Sequence, residues 1–348
     1  MFSLCGLTIN YAPPGLTLYP NPPNPQNPHT PHTPSLAGHM GQPQWSEFFP
    51  DCGGSGQSPI NVDAAQSKYE PRLATIRPLG YSQHGNEPFT LSNNGHTVTM
   101  PLPSWMGVAG LPWQFSAVQL HLHWGNGASV TTGSEHTING RSTAAELHIV
   151  HYNSELYENV SMAMTKRDGL AVLGILMEVG EETNQAYANI INYLNRIRHA
   201  GQRVSIPAFD IQTLLPSDLH SYYRYNGSLT TPPCYQSVLW TVFSETVKLS
   251  MPQLMKLDTL LYASEEGASQ PSVLQDNYRA TQPINQRVVL ASFQRGQYRR
   301  TIAARHTLPH HSHIRAKTYP HHSGYTTTPL YHTIATTLPH HSNHSTTP

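Results

Sequence analysis

Charged side chains are scarce in this 348-residue chain, where Asp, Glu, Lys and Arg together make up only 11% of the residues. The 20 basic and 20 acidic residues cancel to a formal net charge of zero, so nothing indicates a nucleic acid or a strongly charged substrate as a partner. No apolar run is long enough to cross a membrane, and residues 1–15 lack the basic and apolar regions of a signal peptide. The sequence therefore predicts neither a membrane anchor nor a secretion signal, and it indicates no oligomeric state.

Charged residues are unevenly distributed along the chain and are rarest at its two ends. Residues 1–46 contain no Asp, Glu, Lys or Arg but ten prolines, and the stretch after residue 297 contains no acid and ten of the chain's 22 histidines. Such segments cannot bury enough apolar surface to offset the entropy that ordering costs. We therefore expect both ends to be disordered, on either side of one compact block of roughly 250 residues.

Cysteine is rarer still, with three residues in the whole chain. Cys5 lies in the N-terminal end, whereas Cys52 and Cys234 lie in the block and are either two free thiols or a disulfide. Glycosylation sequons at Asn159 and Asn226 weakly favour the secretory route, and with it the disulfide.

Most apolar residues of the block lie in short runs bounded by Gly, Pro and Asn, the pattern of β-strands. Two helices are indicated, one over 183–198 from apolar residues at helical spacing and one after Ser250, where SMPQ forms a capping-box pattern with proline in the first turn. The predicted fold class is mostly β (α+β), a single domain with a large, twisted, mainly antiparallel sheet and peripheral helices. The clearest strands are 117–123, 144–151, 170–177 and 237–243.

Two histidines stand out in the first of these strands, which continues as QLHLHWG over 119–125. Because successive side chains of a strand point to opposite faces, Gln119, His121 and His123 share one face and the leucines between them share the other. A buried imidazole needs a polar partner. This polar face therefore requires an explanation beyond ordinary core packing.

A third histidine lies in the second predicted strand, where Glu146 and His148 share a face. A metal-bound imidazole is oriented through its other nitrogen by a carboxylate or carbonyl, and Gln119 and Glu146 each stand two residues from a histidine. Three histidines with an open fourth position are the ligand set of a catalytic zinc site. A cupin-like metal site also begins with H-x-H, but it places a Glu within a few residues, whereas the next acid after His123 is Glu135.

Four segments of the block resemble the signature sequences of the α-class carbonic anhydrases. The similarity extends over 36–296, and the run over 224–243 very closely resembles the single-pass membrane isoform of that family. It divides the chain into a Pro-rich segment 1–35, a catalytic domain 36–296 and a low-complexity His/Thr/Pro tail 297–348. The four segments are QLHLHWG (119–125), GSEHTING (133–140), AELHIVHYN (145–153) and SLTTPPC (228–234).

The resemblance implies a zinc lyase that hydrates carbon dioxide reversibly to bicarbonate and a proton through attack by a zinc-bound hydroxide. It makes three histidines the zinc ligands, His121, His123 and His148, with carbon dioxide and bicarbonate as partners and Zn²⁺ as cofactor. Relatives without catalysis typically lack one or more of these ligands. This chain has all three, so an acatalytic binding domain of the same fold is the less favoured alternative.

The resemblance to the α-class carbonic anhydrases also implies roles for individual residues outside the ligand set. The resemblance makes Thr230 a gatekeeper hydroxyl, Glu135 the acceptor of its proton, and His96, which follows an Asn-Asn-Gly turn signal, the proton shuttle. It also implies a disulfide from Cys52 to Cys234 and an extracellular or cell-surface location. The residues implied to orient the zinc ligands are Gln119, Glu146 and Asn277. The residues implied for the substrate pocket are Val150, Val172, Leu229, Thr230, Thr231, Val238 and Trp240.

Two positions depart from the family pattern. Leu36 stands where the family usually has a tyrosine that helps to order active-site water, and Gln44 stands where it has a histidine before Trp45. The first departure predicts slower proton transfer than in relatives. The tail replaces the transmembrane helix of the membrane isoform, so membrane anchoring is not evident in this chain.

Overall fold

Four long strands form the centre of the molecule, and each coincides within a few residues with a strand that the sequence predicts. They belong to a 13-stranded sheet within the residues that the computed structural model describes, which are 2–4, 7–9, 41–83, 85, 87–127 and 131–294. All of these residues belong to one compact unit, Met1–Thr301. The predicted single β-rich domain is confirmed.

The main sheet is mixed, but most of its strand pairs are antiparallel, as predicted. Along the sheet the strand order is β13-β6-β7-β9-β11-β12-β15-β14-β17-β4, with β8 between β9 and β5, and β16 beside β12. The parallel pairs are β12 with β15, β12 with β16 and β17 with β4. In chain order the strands are Phe2–Leu4 (β1), Leu7–Ile9 (β2), Asn61–Val62 (β3), Lys68–Tyr69 (β4), Arg77–Leu79 (β5), Phe89–Asn93 (β6), Val98–Pro101 (β7), Gly107–Ala109 (β8), Phe115–Trp124 (β9), Thr137–Ile138 (β10), Ala145–Tyr152 (β11), Leu170–Gly180 (β12), Arg203–Ile206 (β13), Tyr222–Gly227 (β14), Val238–Phe243 (β15), Val247–Ser250 (β16) and Leu290–Ala291 (β17).

The two short pairs outside the main sheet are β1 with β2, antiparallel, and β10 with β3, parallel. The β1–β2 pair lies inside the segment 1–35 and was not predicted from the sequence. The rest of that segment and the tail 297–348 lie outside the described residues, as does Leu36. The predicted disorder of the two ends therefore stays a prediction.

The helices are short and lie outside the sheet. The helix predicted over 183–198 is shorter than expected, because α3 ends at Ile191 and a separate 3-10 turn follows at Leu194–Arg196. Asparagines interrupt this segment at 189, 192 and 195, and asparagine favours caps and turns over helix interiors. The α-helices are Trp45–Phe48 (α1), Val160–Ala163 (α2), Gln185–Ile191 (α3) and Met251–Leu260 (α4), and the 3-10 helices are Gln42–Gln44, Pro50–Gly53, Leu194–Arg196 and Ile211–Leu214.

The start of α4 follows the predicted capping box. The backbone N–H of Ser250 donates to Oε1 of Gln253 at 3.1 Å, which satisfies a donor at the helix end. None of the helices in the described ranges has the length and apolar character needed to cross a membrane.

The central strands are buried on both faces, and the two faces differ in chemistry. On β11, Leu147 and Ile149 belong to the larger apolar core, which includes Leu120 and Leu122 of β9. Val150, on the opposite face of β11, belongs to a second apolar cluster. Because side chains alternate along a strand, His148 shares the face of Val150 and lies beside this second cluster.

Candidate active site

Strand register brings the three predicted zinc ligands together. In the antiparallel pair of β9 and β11, His121 stands directly opposite His148, and His123 stands opposite Glu146. The ring centroids of the three histidines are 4.6 to 5.1 Å apart. One nitrogen of each lies within 4.8 Å of the others, and all three side chains are buried. A single ion can therefore contact all three rings.

Each of the two β9 histidines has its outer nitrogen engaged. Nδ1 of His121 is 3.0 Å from Oε1 of Gln119, and Nδ1 of His123 is 2.8 Å from the backbone carbonyl oxygen of Asn277. The side chain of Asn277 also holds β9, since its Oδ1 accepts from the backbone N–H of Trp124 at 2.8 Å. These contacts direct Nε2 of both imidazoles towards the shared centre.

Glu146 orients the third histidine. Its Oε1 lies 2.7 Å from Nε2 of His148 and 2.7 Å from Nδ1 of His136, and its Oε2 accepts from the backbone N–H groups of Glu135 and His136. Burial alone would raise the pKa of Glu146, but His136 and His148 together hold it well below its usual range. The carboxylate is thus ionised and fully hydrogen-bonded, which leaves Nδ1 of His148 facing the centre.

His136 was not assigned a role from the sequence, although it lies in the quoted segment GSEHTING. Its Nε2 is 2.7 Å from the hydroxyl of Tyr225, which donates to Oγ of Ser58 at 2.8 Å. His136, Glu146 and His148 also form a second group with metal-ligand spacing. Hydrogen bonds account for this spacing, because Glu146 accepts from both rings at 2.7 Å.

The site favours neutral imidazoles, the form that binds a metal. Burial, followed by the neighbouring His123 and His148, holds the pKa of His121 well below its usual range, and burial likewise lowers the pKa of His123. Within the described residues, Nε2 of His123 and Oε2 of Glu135 are buried polar atoms without a hydrogen-bond partner, and they lie 3.5 Å apart. A three-nitrogen set with an unpartnered donor atom fits zinc.

Glu135, whose role in catalysis stays a prediction, lies beside the three histidines. Its Oε1 accepts from the backbone N–H of Arg279 at 2.9 Å, and its Oε2 is 3.8 Å from Nδ1 of His148. Thr230 is buried as well. A Thr230–Glu135 hydrogen bond is not among the contacts of the described residues, but Oε2 of Glu135 is available to accept one.

The apolar residues predicted for the substrate pocket belong to one cluster next to the three histidines. Val150 pairs with Val172 across β11 and β12, and Val172 pairs with Trp240 across β12 and β15. The Trp240 ring is 4.8 Å from the ring of His148. Leu229 and Val238 complete the predicted apolar set in this cluster, and Thr231 is buried too.

His96 lies on a tight turn, as predicted. Gly95 adopts a left-handed conformation (φ +85°), and Oδ1 of Asn94 accepts from the backbone N–H groups of His96 and Thr97 at 2.9 and 2.8 Å. The side chain of His96 is half-buried, and this burial lowers its pKa. Its carbonyl accepts from the Asn277 side chain, which links the turn to the residue that orients His123.

Comparison with known proteins agrees with this geometry. Residues 40–293 match the family model for eukaryotic-type carbonic anhydrases. The chain belongs to this family. It is 45% identical to carbonic anhydrase 12 of Homo sapiens over 260 residues, which are 75% of this chain and 73% of that protein. It is 43% identical to carbonic anhydrase 6 of Bos taurus over 258 residues (74% and 79%) and 37% identical to carbonic anhydrase 3 of Homo sapiens over 262 residues (74% and 97%).

Membership in the carbonic anhydrase family confirms the resemblance and the enzyme class inferred from the sequence. A departure from the family pattern lies near the start of the matched region, where Gln44 is exposed just before α1 and Trp45 is buried. The expected close similarity of this chain to the membrane isoform stays a prediction.

A disulfide joins Cys52 to Cys234, so the second of the two alternatives for these cysteines is correct. Arg279, which was not singled out in the sequence, connects this bond to the site. Its guanidinium donates to the carbonyl of Cys52 at 3.2 Å and to the carbonyl of Ser58 at 2.8 Å, while its backbone N–H donates to Glu135. Burial lowers the pKa of Arg279 to about 10, which leaves it charged at neutral pH.

Replacing Cys52 and Cys234 together by alanine is expected to lower the free energy of unfolding by about 5 kcal/mol, because the bond closes a loop with a sequence separation of 182. Urea denaturation followed by tryptophan fluorescence measures the change. The wild type in a strong reductant is the control, and it should fall to the same midpoint as the double variant. An unchanged midpoint in the double variant would contradict the prediction.

Proposed function

We propose that this protein is a zinc lyase that hydrates carbon dioxide reversibly to bicarbonate and a proton, with His96 as its proton shuttle. The observation that carries the proposal is the convergence of three buried imidazoles on one centre, with the unpartnered oxygen of Glu135 beside them. Family membership supports the reaction. The experiment that tests it is zinc analysis together with stopped-flow hydration of carbon dioxide by the full chain.

The three histidines bind the metal, and hydrogen bonds to Gln119, Asn277 and Glu146 orient the three rings. His121 and His123 contribute Nε2 and His148 contributes Nδ1, because the other nitrogen of each ring is engaged. Zinc, when bound there, lowers the pKa of a coordinated water to about 7, the figure known for carbonic anhydrases as a class. Three neutral ligands suit this role, since they leave the double positive charge uncompensated.

Thr230 and Glu135 orient the nucleophile. Oε1 of Glu135 already accepts from the Arg279 backbone, which leaves the unpartnered Oε2 as the atom to receive a hydrogen bond from the Thr230 hydroxyl. The Thr230 oxygen must then act as an acceptor towards the nucleophile, whose lone pair is thereby directed at the substrate.

The apolar cluster binds the substrate loosely. Carbon dioxide is small and apolar, and Val150, Val172 and Trp240 present buried apolar surface beside His148. Such surface offers no hydrogen bond that would have to be broken during the reaction. Weak ground-state binding favours turnover, because only interactions stronger in the transition state lower the barrier.

His96 accepts the proton that each cycle releases. A shuttle needs a pKa near the working pH and some exposure, and His96 is half-buried at a turn linked to Asn277. Because burial lowers its pKa, His96 is largely neutral at pH 7 and ready to accept.

Replacing His96 by alanine is expected to lower kcat in weak buffer on the order of 10-fold and to leave kcat/KM nearly unchanged, because the step on bound substrate is untouched. Added imidazole should restore much of the loss. The exposed His220 provides a control, since His220→Ala should change neither constant. Equal losses in kcat and kcat/KM would contradict a shuttle and assign His96 to the chemical step or the fold.

An extracellular or cell-surface location is part of the proposal. The Cys52–Cys234 disulfide supports it, because such bonds persist in oxidising compartments. Both sequons of the block are accessible to glycosylation, since Asn159 at the start of α2 and Asn226 on β14 are exposed. There the reaction would adjust extracellular pH.

A further inference from the structure

A second cavity, of about 840 Å³, opens between the start of the domain, strand β14 and residues 285–287. Two of its ten lining residues are arginines, Arg167 and Arg287, and none is acidic. The volume lies in the range of sites for small organic ligands. It far exceeds what a single bicarbonate ion would fill.

Arg167 is an exposed cation in the lining of this cavity. In the part of the chain that the structure describes, its guanidinium makes no hydrogen bond or ion pair. Arg72 illustrates the usual alternative, because its Nε is paired with Glu70 at 2.8 Å. The positive charge of Arg167 is therefore available to a ligand in the cavity.

Arg287 is a second cation, held rigidly in the wall. Its guanidinium donates to the carbonyl oxygens of Ile284, Asn226 and Pro283 at 2.8 to 3.2 Å and lies 5.6 Å from the Tyr225 ring centroid. Burial lowers the pKa of Arg287, yet no carboxylate lines the cavity to neutralise it. Three of its five N–H donors are engaged in this way, so it contributes fixed positive charge and keeps two donors for a ligand.

Neutral polar side chains make up most of the remaining lining. The side chains of Asn226 and Gln286 are exposed and have no hydrogen-bond partner among the described residues. Gln236 accepts from the backbone N–H of Gly56 through its carbonyl oxygen, which leaves its NH₂ group to donate. Amide groups of this kind can both donate to and accept from hydroxyls.

We propose that this cavity binds an acidic carbohydrate, with a sulfate or carboxylate group between Arg167 and Arg287 and hydroxyl groups on the amides of Gln236 and Gln286. Guanidinium groups match the geometry and charge of such oxyanions. The size of the cavity suits a disaccharide unit. None of these residues is a predicted metal ligand, and Val238 is the one lining residue that also belongs to the predicted substrate pocket.

The test is calorimetric titration of the full chain with a chondroitin disaccharide in sulfated and unsulfated forms, at low salt. Protein made in the bacterial periplasm forms the disulfide and carries no glycan on Asn226. The sulfated form should bind at least tenfold more tightly than the unsulfated form, and also more tightly than inorganic sulfate. Equal affinity for both disaccharides, or for sulfate alone, would overturn the proposal.

Matched variants locate the binding. Arg167→Gln should weaken binding of the sulfated disaccharide about fivefold to tenfold, and Gln286→Glu should weaken it as much by placing a carboxylate in the cavity. Lys166→Gln removes the same charge one residue away, outside the lining, and should change affinity less than about twofold. If Lys166→Gln weakens binding as much as Arg167→Gln, general charge attraction explains the binding and the site is disproved. Hydration activity, unchanged in all three, verifies that they are folded.

Discussion

Alanine in place of His148 is expected to abolish tight zinc binding and carbon dioxide hydration together. The binding free energy of a structural zinc site, which has four protein ligands, is about 10–16 kcal/mol, or about 2.5–4 kcal/mol per ligand. Losing one protein ligand therefore weakens zinc affinity by about 10²–10³-fold. Competition with a chromophoric chelator measures this affinity, and stopped-flow hydration measures activity on the same sample.

His151 provides the matched control, because it lies three residues along the same strand and is also buried. Its Nε2 is 2.6 Å from the Tyr81 hydroxyl, so His151→Ala should cost about 1–3 kcal/mol of stability through the lost hydrogen bond. Zinc stoichiometry should remain about one per chain. Full hydration activity in metal-free His148→Ala would refute the zinc assignment. Wild-type protein that binds zinc without hydrating carbon dioxide would instead support the acatalytic alternative.

The three-histidine cluster could be predicted from sequence because the positions of its members depend on local geometry. Alternation within one strand puts His121 and His123 on one face, and alternation within another does the same for Glu146 and His148. The sequence pattern does not show that β9 pairs with β11, which is a property of the fold. Any pairing register that buries the leucines on one face of the sheet leaves the histidines on the other face.

Other parts of the site could not be predicted without the resemblance, because they use backbone groups far away in the chain. The carbonyl of Asn277 meets His123 across 154 positions, and the backbone N–H of Arg279 meets Glu135 across 144. Every residue has such groups, so residue type carries no signal of these contacts. His136 had a signal, a histidine beside Glu135 in a quoted segment, but its link to Glu146 depends on the loop's path.

Strand existence and strand pairing were predictable to different degrees. Apolar runs over 170–177 and 237–243 indicated both strands, but the parallel pairing of β12 with β15 has no local signature. That pairing matters for the site, because it puts Trp240 beside Val172 and therefore beside His148. The pocket thus depends on a long-range contact that alternation cannot specify.

Glutamine in place of Glu135 is expected to lower kcat/KM by about 10²–10³-fold while the protein keeps its zinc, a loss of the size that follows removal of one preorganised hydrogen bond from an oxyanion hole. The substitution preserves shape, and the glutamine carbonyl oxygen can still accept from the Arg279 backbone as Oε1 does. The NH₂ group then takes the place of Oε2, and it donates where the carboxylate accepts. The Thr230 hydroxyl loses the acceptor for its proton, so its oxygen no longer faces the nucleophile as an acceptor.

A double-mutant cycle with Thr230→Ala separates this arrangement from a general effect of charge. If Glu135 acts through the Thr230 hydroxyl, the two single variants and the double variant should lose similar activity, because residues that act as a unit are not additive. Thr230→Ser keeps the hydroxyl and should retain most of the activity. Glu178→Gln removes a carboxylate that pairs with Lys248 outside the site and should change nothing. Additive losses, or full activity in Thr230→Ala, would show that Glu135 acts on the metal site directly, through the 3.5 Å approach of its Oε2 to His123.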